Sequence, residues 1–477
     1  MNNMKAIKYI TGLMFMFSVA SWSCSDDWLD LHPISNINEG DFYKTKEDFQ
    51  SALIAAYATL YTEFGPYRGP SYSEQLSDEA IMYDATAPTA DKMAWQNYGL
   101  QPANSIVQSI YRETYGSLYT VNMALTKLSD ASFDGKAEME GELRLLRGML
   151  YFNLVRLFGD IPLVKKPLSV SESYDLLRTP TADVYKSIIT DMRFAAENLP
   201  LRSQIARTGQ LTKGAAQGML GKVYLTVNNK DSAAYFLNQV RLSNEYGLLD
   251  NYADLFGMRG IGNKNSKEAL IEIQYVGAAN SPNSDYLEAF GPYQNMILSG
   301  QGMGMNQVSD DLWNEFETGD PRREASIFEG YTNRAENWVD IKFPAKWYDD
   351  VFLTTANGWY KNNFIVLRYS DILLMLAEAA NDASYLNIVR SRAGLPSFGD
   401  PAYPAEYNTL ALAIEHERVV ELSLEFHRWF DLKRTGRATT VLTAKKGKPI
   451  TENMLVLPIP LGEIEINPKL EQNDYYR

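Results

Sequence analysis

The sequence predicts a mostly α-helical protein: a degenerate tetratricopeptide-type helical array that carries long irregular segments. Three observations predict it. Apolar residues recur at three- and four-residue spacing in one segment after another. Helix pairs follow one another roughly every 34 residues, with small residues where they would touch. Two stretches, at about 62–104 and 250–365, lack any such period and are rich in Gly, Pro, Ser and aromatic residues.

Composition sets the outer bounds. Of 477 residues, 45% are hydrophobic and 22% charged, which excludes wholesale disorder and a polytopic membrane protein. With 45 basic and 59 acidic residues the net charge is −14, so bulk charge disfavours nucleic acid as a partner. Cys24 is the single cysteine, and the three histidines are His32, His416 and His427. No intrachain disulfide or cysteine-rich zinc site can form, and His416 and His427 lack the i, i+4 spacing of a metalloprotease helix. No metal site and no cofactor are expected.

Taken in order, the chain begins with an export signal. Lys5 and Lys8 precede an apolar run from Ile10 to Ala20, followed by Ser21-Trp22-Ser23-Cys24. Spanning a bilayer takes about 20 residues, so this run is too short to remain as an anchor. A lone cysteine after small residues resembles a bacterial lipobox. The expectation is a signal peptide at 1–23, acylation of Cys24, and a single domain over 24–477 held at the outer membrane by its lipid.

The helices follow. In 136–158, Leu143, Leu146, Leu150, Leu154 and Leu157 form a stripe that Gly159-Asp160-Ile161-Pro162 terminates. In 180–199, Thr179 can cap, Pro180 takes the first helical position and Pro200 stops the run. Segment 212–227 contains Gly214, Gly218 and Gly221, which lower helix propensity and so predict close helix–helix approach. Helices at 231–243, 368–381 and 384–393 come next, then one long helix at about 410–434 with Leu412, Val419, Leu422, Phe426 and Phe430 on its inner face. Ala269 to Val276 reads as a strand inside the second irregular segment.

Ordered motifs then carry a resemblance. Cys24-Ser25-Asp26-Asp27-Trp28-Leu29-Asp30, the block from Glu142 to Phe152 with Gly159-Asp160-Ile161-Pro162, and Thr212-Lys213-Gly214-Ala215-Ala216 come first. Glu317 to Arg322, Arg368-Tyr369-Ser370-Asp371, Val389 to Leu395, Glu417-Arg418, Glu421-Leu422, Arg428 to Arg434 and Leu457-Pro458-Ile459-Pro460 complete them. In this order they resemble the SusD/RagB family of outer-membrane nutrient-binding lipoproteins. Two departures stand out: Glu425-Phe426-His427-Arg428 lacks the glycine common before the arginine, and the connection from Ala379 to Asn387 is short. Most motif charges read as scaffold, with pairs such as Arg428 and Asp431 neutralising each other on one helix.

The resemblance implies a cell-surface protein that captures oligosaccharides without cleaving them and passes them to a SusC-like TonB-dependent transporter. Peptide is the second ligand class it implies. A helical-repeat scaffold without a small ligand and, last, a glycoside hydrolase with two flanking carboxylates are the competing readings. Sugar rings offer an apolar face and a rim of hydroxyls, so a site wants exposed aromatic planes beside amide or charged groups. Trp95, Asn97 and Tyr98 supply both within four residues and match the family's aromatic-plus-amide pattern; Tyr67, Arg68, Asp78 and Tyr83 are near in sequence, and Tyr286 and Tyr293 are candidates from the second irregular segment.

Overall fold

The computed structural model describes residues 42–82, 89–279, 281–292, 302–333, 335–349 and 359–477. The expected acylation site Cys24 and the candidate site residues Tyr83 and Tyr293 lie outside them. Internal contacts divide the chain into Met1–Phe49 and Gln50–Arg477. In the first unit, Asp48 Oδ2 accepts from the Lys44 and Thr45 amides at 2.9 and 2.8 Å, closing a turn.

The second unit is a helical array. Its principal helices are α1 (Lys46–Phe64, begun in the first unit), α2 (Gly69–Leu76), α3 (Ala90–Gln96), α4 (Ser105–Ser129), α5 (Lys136–Phe158), α6 (Thr181–Asn198), α7 (Lys213–Thr226) and α8 (Lys230–Leu242). The series continues with α9 (Tyr286–Phe290), α10 (Tyr369–Ala380), α11 (Ala383–Arg392), α12 (Leu410–Glu421), α13 (Arg428–Arg434) and α14 (Ala438–Lys446). Each of α4 to α7 packs on the next, α8 packs on α10, and α10 on α11 and α12. The array is the one that the periodicity predicts, and none of its described helices is long and apolar enough to cross a membrane.

Local chemistry explains the boundaries. Thr212 Oγ1 accepts from Ala215 N at 3.1 Å at the start of α7. At α6 the predicted Thr179 cap does not form, and Pro180 stands just before the helix. Asp160 Oδ1 serves instead, accepting from the Thr181 amide and hydroxyl, each at 2.7 Å. The α7 glycines do mark close approach: a Cβ on Gly221 would lie 2.4 Å from Leu237 Cγ, and one on Gly218 2.7 Å from Leu367 Cδ2.

The last long helix also departs from expectation. The helix at about 410–434 is two helices, because Leu424 (φ 63°) and Phe426 (φ 67°) turn into the left-handed region. That conformation is costly for bulky side chains. Phe426 is held there by aromatic packing, 4.9 Å from Phe364 and 6.4 Å from both Tyr286 and Trp347.

The irregular segments are built, not slack. Ala80–Ile81 pairs antiparallel with Gln307–Val308, joining one segment to the other. Ala269–Ile273 pairs antiparallel with Phe364–Arg368 and is shorter than the predicted strand. Beneath them lies a charged centre. Arg322 reaches Asp320, Glu417 and Glu421, Arg368 reaches Glu268, Glu421 and Glu425, and Lys346 lies 2.6 Å from Glu425. Arg390 and Arg392 close the network on Glu317, Glu417, Glu268 and Glu421. The motif charges are therefore scaffold, but Arg428 pairs with Asp78 at 2.8 Å rather than with Asp431, which holds Arg418 and Arg434.

Candidate functional site

Three of the sequence-predicted aromatics are structural. Trp95 is 0% exposed and stacks on Tyr72 at a centroid distance of 5.0 Å, so it presents no face to a sugar. It lies on α3 at a position turned toward α2, and burial of the flat ring there is what pins the loop. Tyr98 is buried, its hydroxyl donating to Leu76 O at 2.5 Å and accepting from Trp429 Nε1 at 3.2 Å. Tyr286 is wholly buried in the aromatic cluster, 5.2 Å from Trp347 and 5.1 Å from Phe364. Asp78 is likewise buried, both carboxylate oxygens taken by Arg428 at 2.8 Å. Burial raises the Asp78 carboxyl, but the hydrogen bonds and charge of Arg428 bring it below its ordinary range.

Two groups of predicted residues remain near solvent, at opposite ends of α2. At the C-terminal end, exposed Asn97 and the edge of Asp78 line a cleft of about 270 Å³ with Ser309, Lys445, Lys446 and Lys448. Lys448 Nζ donates to the Asn97 carbonyl, and Lys446 Nζ to Gln75 O at 3.0 Å. The lysines are therefore partly committed to closing the loop on the frame.

At the N-terminal end, Tyr67 and Arg68 stand just before α2, where Pro70 enters the helix and Arg68 is extended. Both are half-buried, and Arg68 Nη1 lies 3.0 Å from Glu113 Oε2. The Tyr67 hydroxyl donates to Met303 Sδ at 3.3 Å. The Met303 amide is bonded in turn to Glu288 O at 2.8 Å, which brings the end of α9 against Tyr67. Tyr360 O accepts from Ser284 N at 3.1 Å on the same side.

The result is an acid–aromatic recess of Tyr67, Asp285, Glu288, Met303 and Tyr360. Burial, and then the charges of Glu288 and Asp285, push the Tyr67 hydroxyl up; burial and Glu288, Asp349 and Asp285 do the same to Tyr360. Burial also raises the Asp285 and Glu288 carboxyls, with Asp285 adding to the shift of Glu288. These mutual effects place the two carboxylates and two phenols in one neighbourhood. Neither carboxylate takes a hydrogen bond or ion pair from the described residues. Met303, bonded through its amide to Glu288 O, is 37% exposed and gives apolar surface beside those acceptors. Among the described residues there is no group of three or more acidic, His or Cys side chains that would hold a metal ion.

Chemically, free carboxylate oxygens accept from vicinal hydroxyls while flat apolar surface covers a ring's C–H face. Sequence reasoning found Tyr67 and missed Asp285, Glu288, Met303 and Tyr360. Asp285-Tyr286-Leu287-Glu288 offered a signal: in a one-turn helix, carboxylates three apart share the face opposite the buried tyrosine.

Comparison with known proteins adds the following. A family profile described as "SusD family" matches residues 293–476, and one described as "Starch-binding associating with outer membrane" matches 27–225. SusD-like protein P2 of Formosa agariphila is 27% identical over 496 aligned positions, covering 94% of this chain and 96% of the relative. Among solved structures, a laminarin-binding SusD-like protein superposes with a TM-score of 0.78 at 28% identity, over 91% of this chain and 100% of the other. Surface glycan-binding protein A from Bacteroides thetaiotaomicron, in complex with laminarihexaose, has a TM-score of 0.76 at 21% identity, with 91% and 100% coverage.

Proposed function

Because the chain belongs to the SusD/RagB family, we propose that it is a glycan-capturing protein of the outer membrane, binding oligosaccharide in the recess at the start of α2. The observation that carries this reading is the pair of carboxylates, Asp285 and Glu288, unpartnered among the described residues, beside half-buried Tyr67 and the exposed Met303 that its hydroxyl meets. Two acceptors on one short helix fit adjacent ring hydroxyls, and the aromatic side chains fit the ring face. Binding without cleavage is the chemistry proposed. The laminarin named for one structural neighbour and the laminarihexaose bound by another make a β-glucan the first candidate to try.

Affinity electrophoresis in gels containing laminarin, and in gels with other polysaccharides, tests the proposal. Retardation by at least one glycan is expected, with Glu288→Gln and Tyr67→Ala each weakening it about tenfold, ~1.4 kcal/mol. Retardation that both variants leave intact would move the site elsewhere; release of shorter sugars on incubation would replace capture by hydrolysis.

Delivery to a SusC-like TonB-dependent transporter, with a lipid on Cys24 holding the protein at the membrane, completes the proposal. Tethering would make docking an intramolecular event and raise its effective concentration. Palmitate labelling should disappear in Cys24→Ala, and mild-detergent purification from native membranes should recover a barrel with the unmutated chain. Persistent label, or repeated recovery of the chain alone, would count against these two steps.

A further inference from the structure

A second concavity, of about 560 Å³, opens between α7, α10, α12 and α13. It shares no residue with the recess at α2. Its volume is that of a small-molecule site. Leu225, Leu412, Val419 and Leu432 supply an apolar wall. Five cationic and four acidic side chains line it, a cationic surplus of one in a chain whose net charge is −14.

The hydrogen-bonding capacity of the arginines is not exhausted by the acids. The Arg434 side chain is 8% exposed, its Nε held by Asp431 Oδ1 at 2.8 Å and its Nη1 by Glu378 Oε1 at 2.6 Å. Its Nη2 has no acceptor among the described residues. Among the described residues Arg437 gives only Nε, to Glu415 Oε2 at 3.0 Å, and both terminal nitrogens have no acceptor there. Lys230, at the rim, makes no ion pair among the described residues. A buried guanidinium fixed on two sides by carboxylates, with its third side open to a cavity, is a preorganised anion receptor.

We propose that this cleft is a second ligand site, taking a small organic anion whose carboxylate meets Arg434 and Arg437 and whose apolar body lies on the leucine wall. A neutral sugar would leave the guanidinium donors with weaker, uncharged acceptors, and an inorganic anion would leave the wall uncovered.

The test uses 2-naphthoate as probe and its uncharged analogue 2-naphthalenemethanol as control, titrated into the full chain and followed by naphthalene fluorescence. Saturable binding of the carboxylate is expected, with the alcohol at least tenfold weaker. Ala411→Trp places an indole on exposed Ala411 at the cleft's lining and should weaken naphthoate binding at least tenfold. Arg437→Gln should weaken it at least fivefold and leave the buried ion pairs of Arg434 in place, so it serves if the bulkier variant fails to fold. Absence of saturable binding, equal binding of the alcohol, or binding untouched by Arg437→Gln would each overturn the proposal.

Discussion

Replacing Trp95 by alanine should cost stability first and ligand affinity only as a consequence. The indole is 0% exposed and stacked on Tyr72 at 5.0 Å, with the two planes 29° apart. Truncating a buried tryptophan removes its transfer free energy and leaves a cavity, together about 3–5 kcal/mol. Stacking on Tyr72 accounts for about 0.5–1.5 kcal/mol of that. The indole N–H has no partner among the described residues, so no hydrogen bond is lost and the lower half of the range applies. Unfolding entropy near 2.1 cal/mol/K per residue over roughly 430 folded residues gives ~0.9 kcal/mol/K, so 3–4 kcal/mol lowers the melting temperature by ~3–4 °C if the chain unfolds as one unit. Calorimetry of the purified protein measures this. Trp95→Phe, which keeps an aromatic ring against Tyr72, should recover more than half of the loss. An unchanged melting temperature with glycan affinity abolished would refute the structural role of Trp95 and return it to the binding surface.

Glu421→Gln removes the charge shared by Arg322, Arg368 and Arg392 and should destabilise by about 3–5 kcal/mol, read as a lower guanidinium midpoint; an unmoved midpoint would mean that the network is not energetically coupled. Burial pushes the Glu63 carboxyl up to about 7, against hydrogen bonds from Asn153 and Thr114. The folded state then holds a proton that the unfolded state has released, so this group's contribution weakens as pH rises from about 4.5 to about 7 and stays lost above. Glu63→Gln should therefore gain on the parent protein across that window, by an amount on the order of 3 kcal/mol, and a pH-independent difference would contradict it. Gly221→Ala should destabilise by about 1–3 kcal/mol because its methyl meets Leu237, outweighing a helix-propensity gain of about 1 kcal/mol; a more stable variant would show that α7 and α8 can part cheaply.

The helices and their order were legible because each carries its own apolar stripe and stop signals, as in Lys136–Phe158 with Gly159 beyond it. The break after Glu421 was not. Leu422, Phe426 and Phe430 continue the four-residue spacing, and only packing against Phe364, Tyr286 and Trp347 reveals that Phe426 is buried by turning out of the helix. A missing glycine in this motif was visible, but its effect, two bulky residues at positive φ, requires the tertiary neighbours. The site was half legible. Tyr67 lies where an exposed aromatic was sought, whereas Trp95 and Tyr98 share its composition but face inward. Short-range composition does not encode which face of a one-turn helix meets solvent. Nor does it encode that Met303 and Tyr360, more than two hundred residues away, complete the recess.

The charged centre constrains how the chain can acquire its structure. Its five cations, Arg322, Lys346, Arg368, Arg390 and Arg392, all precede Glu417, whereas three of its six carboxylates, Glu417, Glu421 and Glu425, come after them. A chain ending at residue 400 would bury five positive charges against Glu268, Glu317 and Asp320 alone, which low-dielectric surroundings do not tolerate. A fragment ending before Glu417 leaves the centre with five cations against three carboxylates. A polypeptide emerging N-terminus first must therefore keep the cations between Arg322 and Arg392 solvated until Glu417 to Glu425 arrive, and a product truncated before Glu417 is left with cations that its own carboxylates cannot balance.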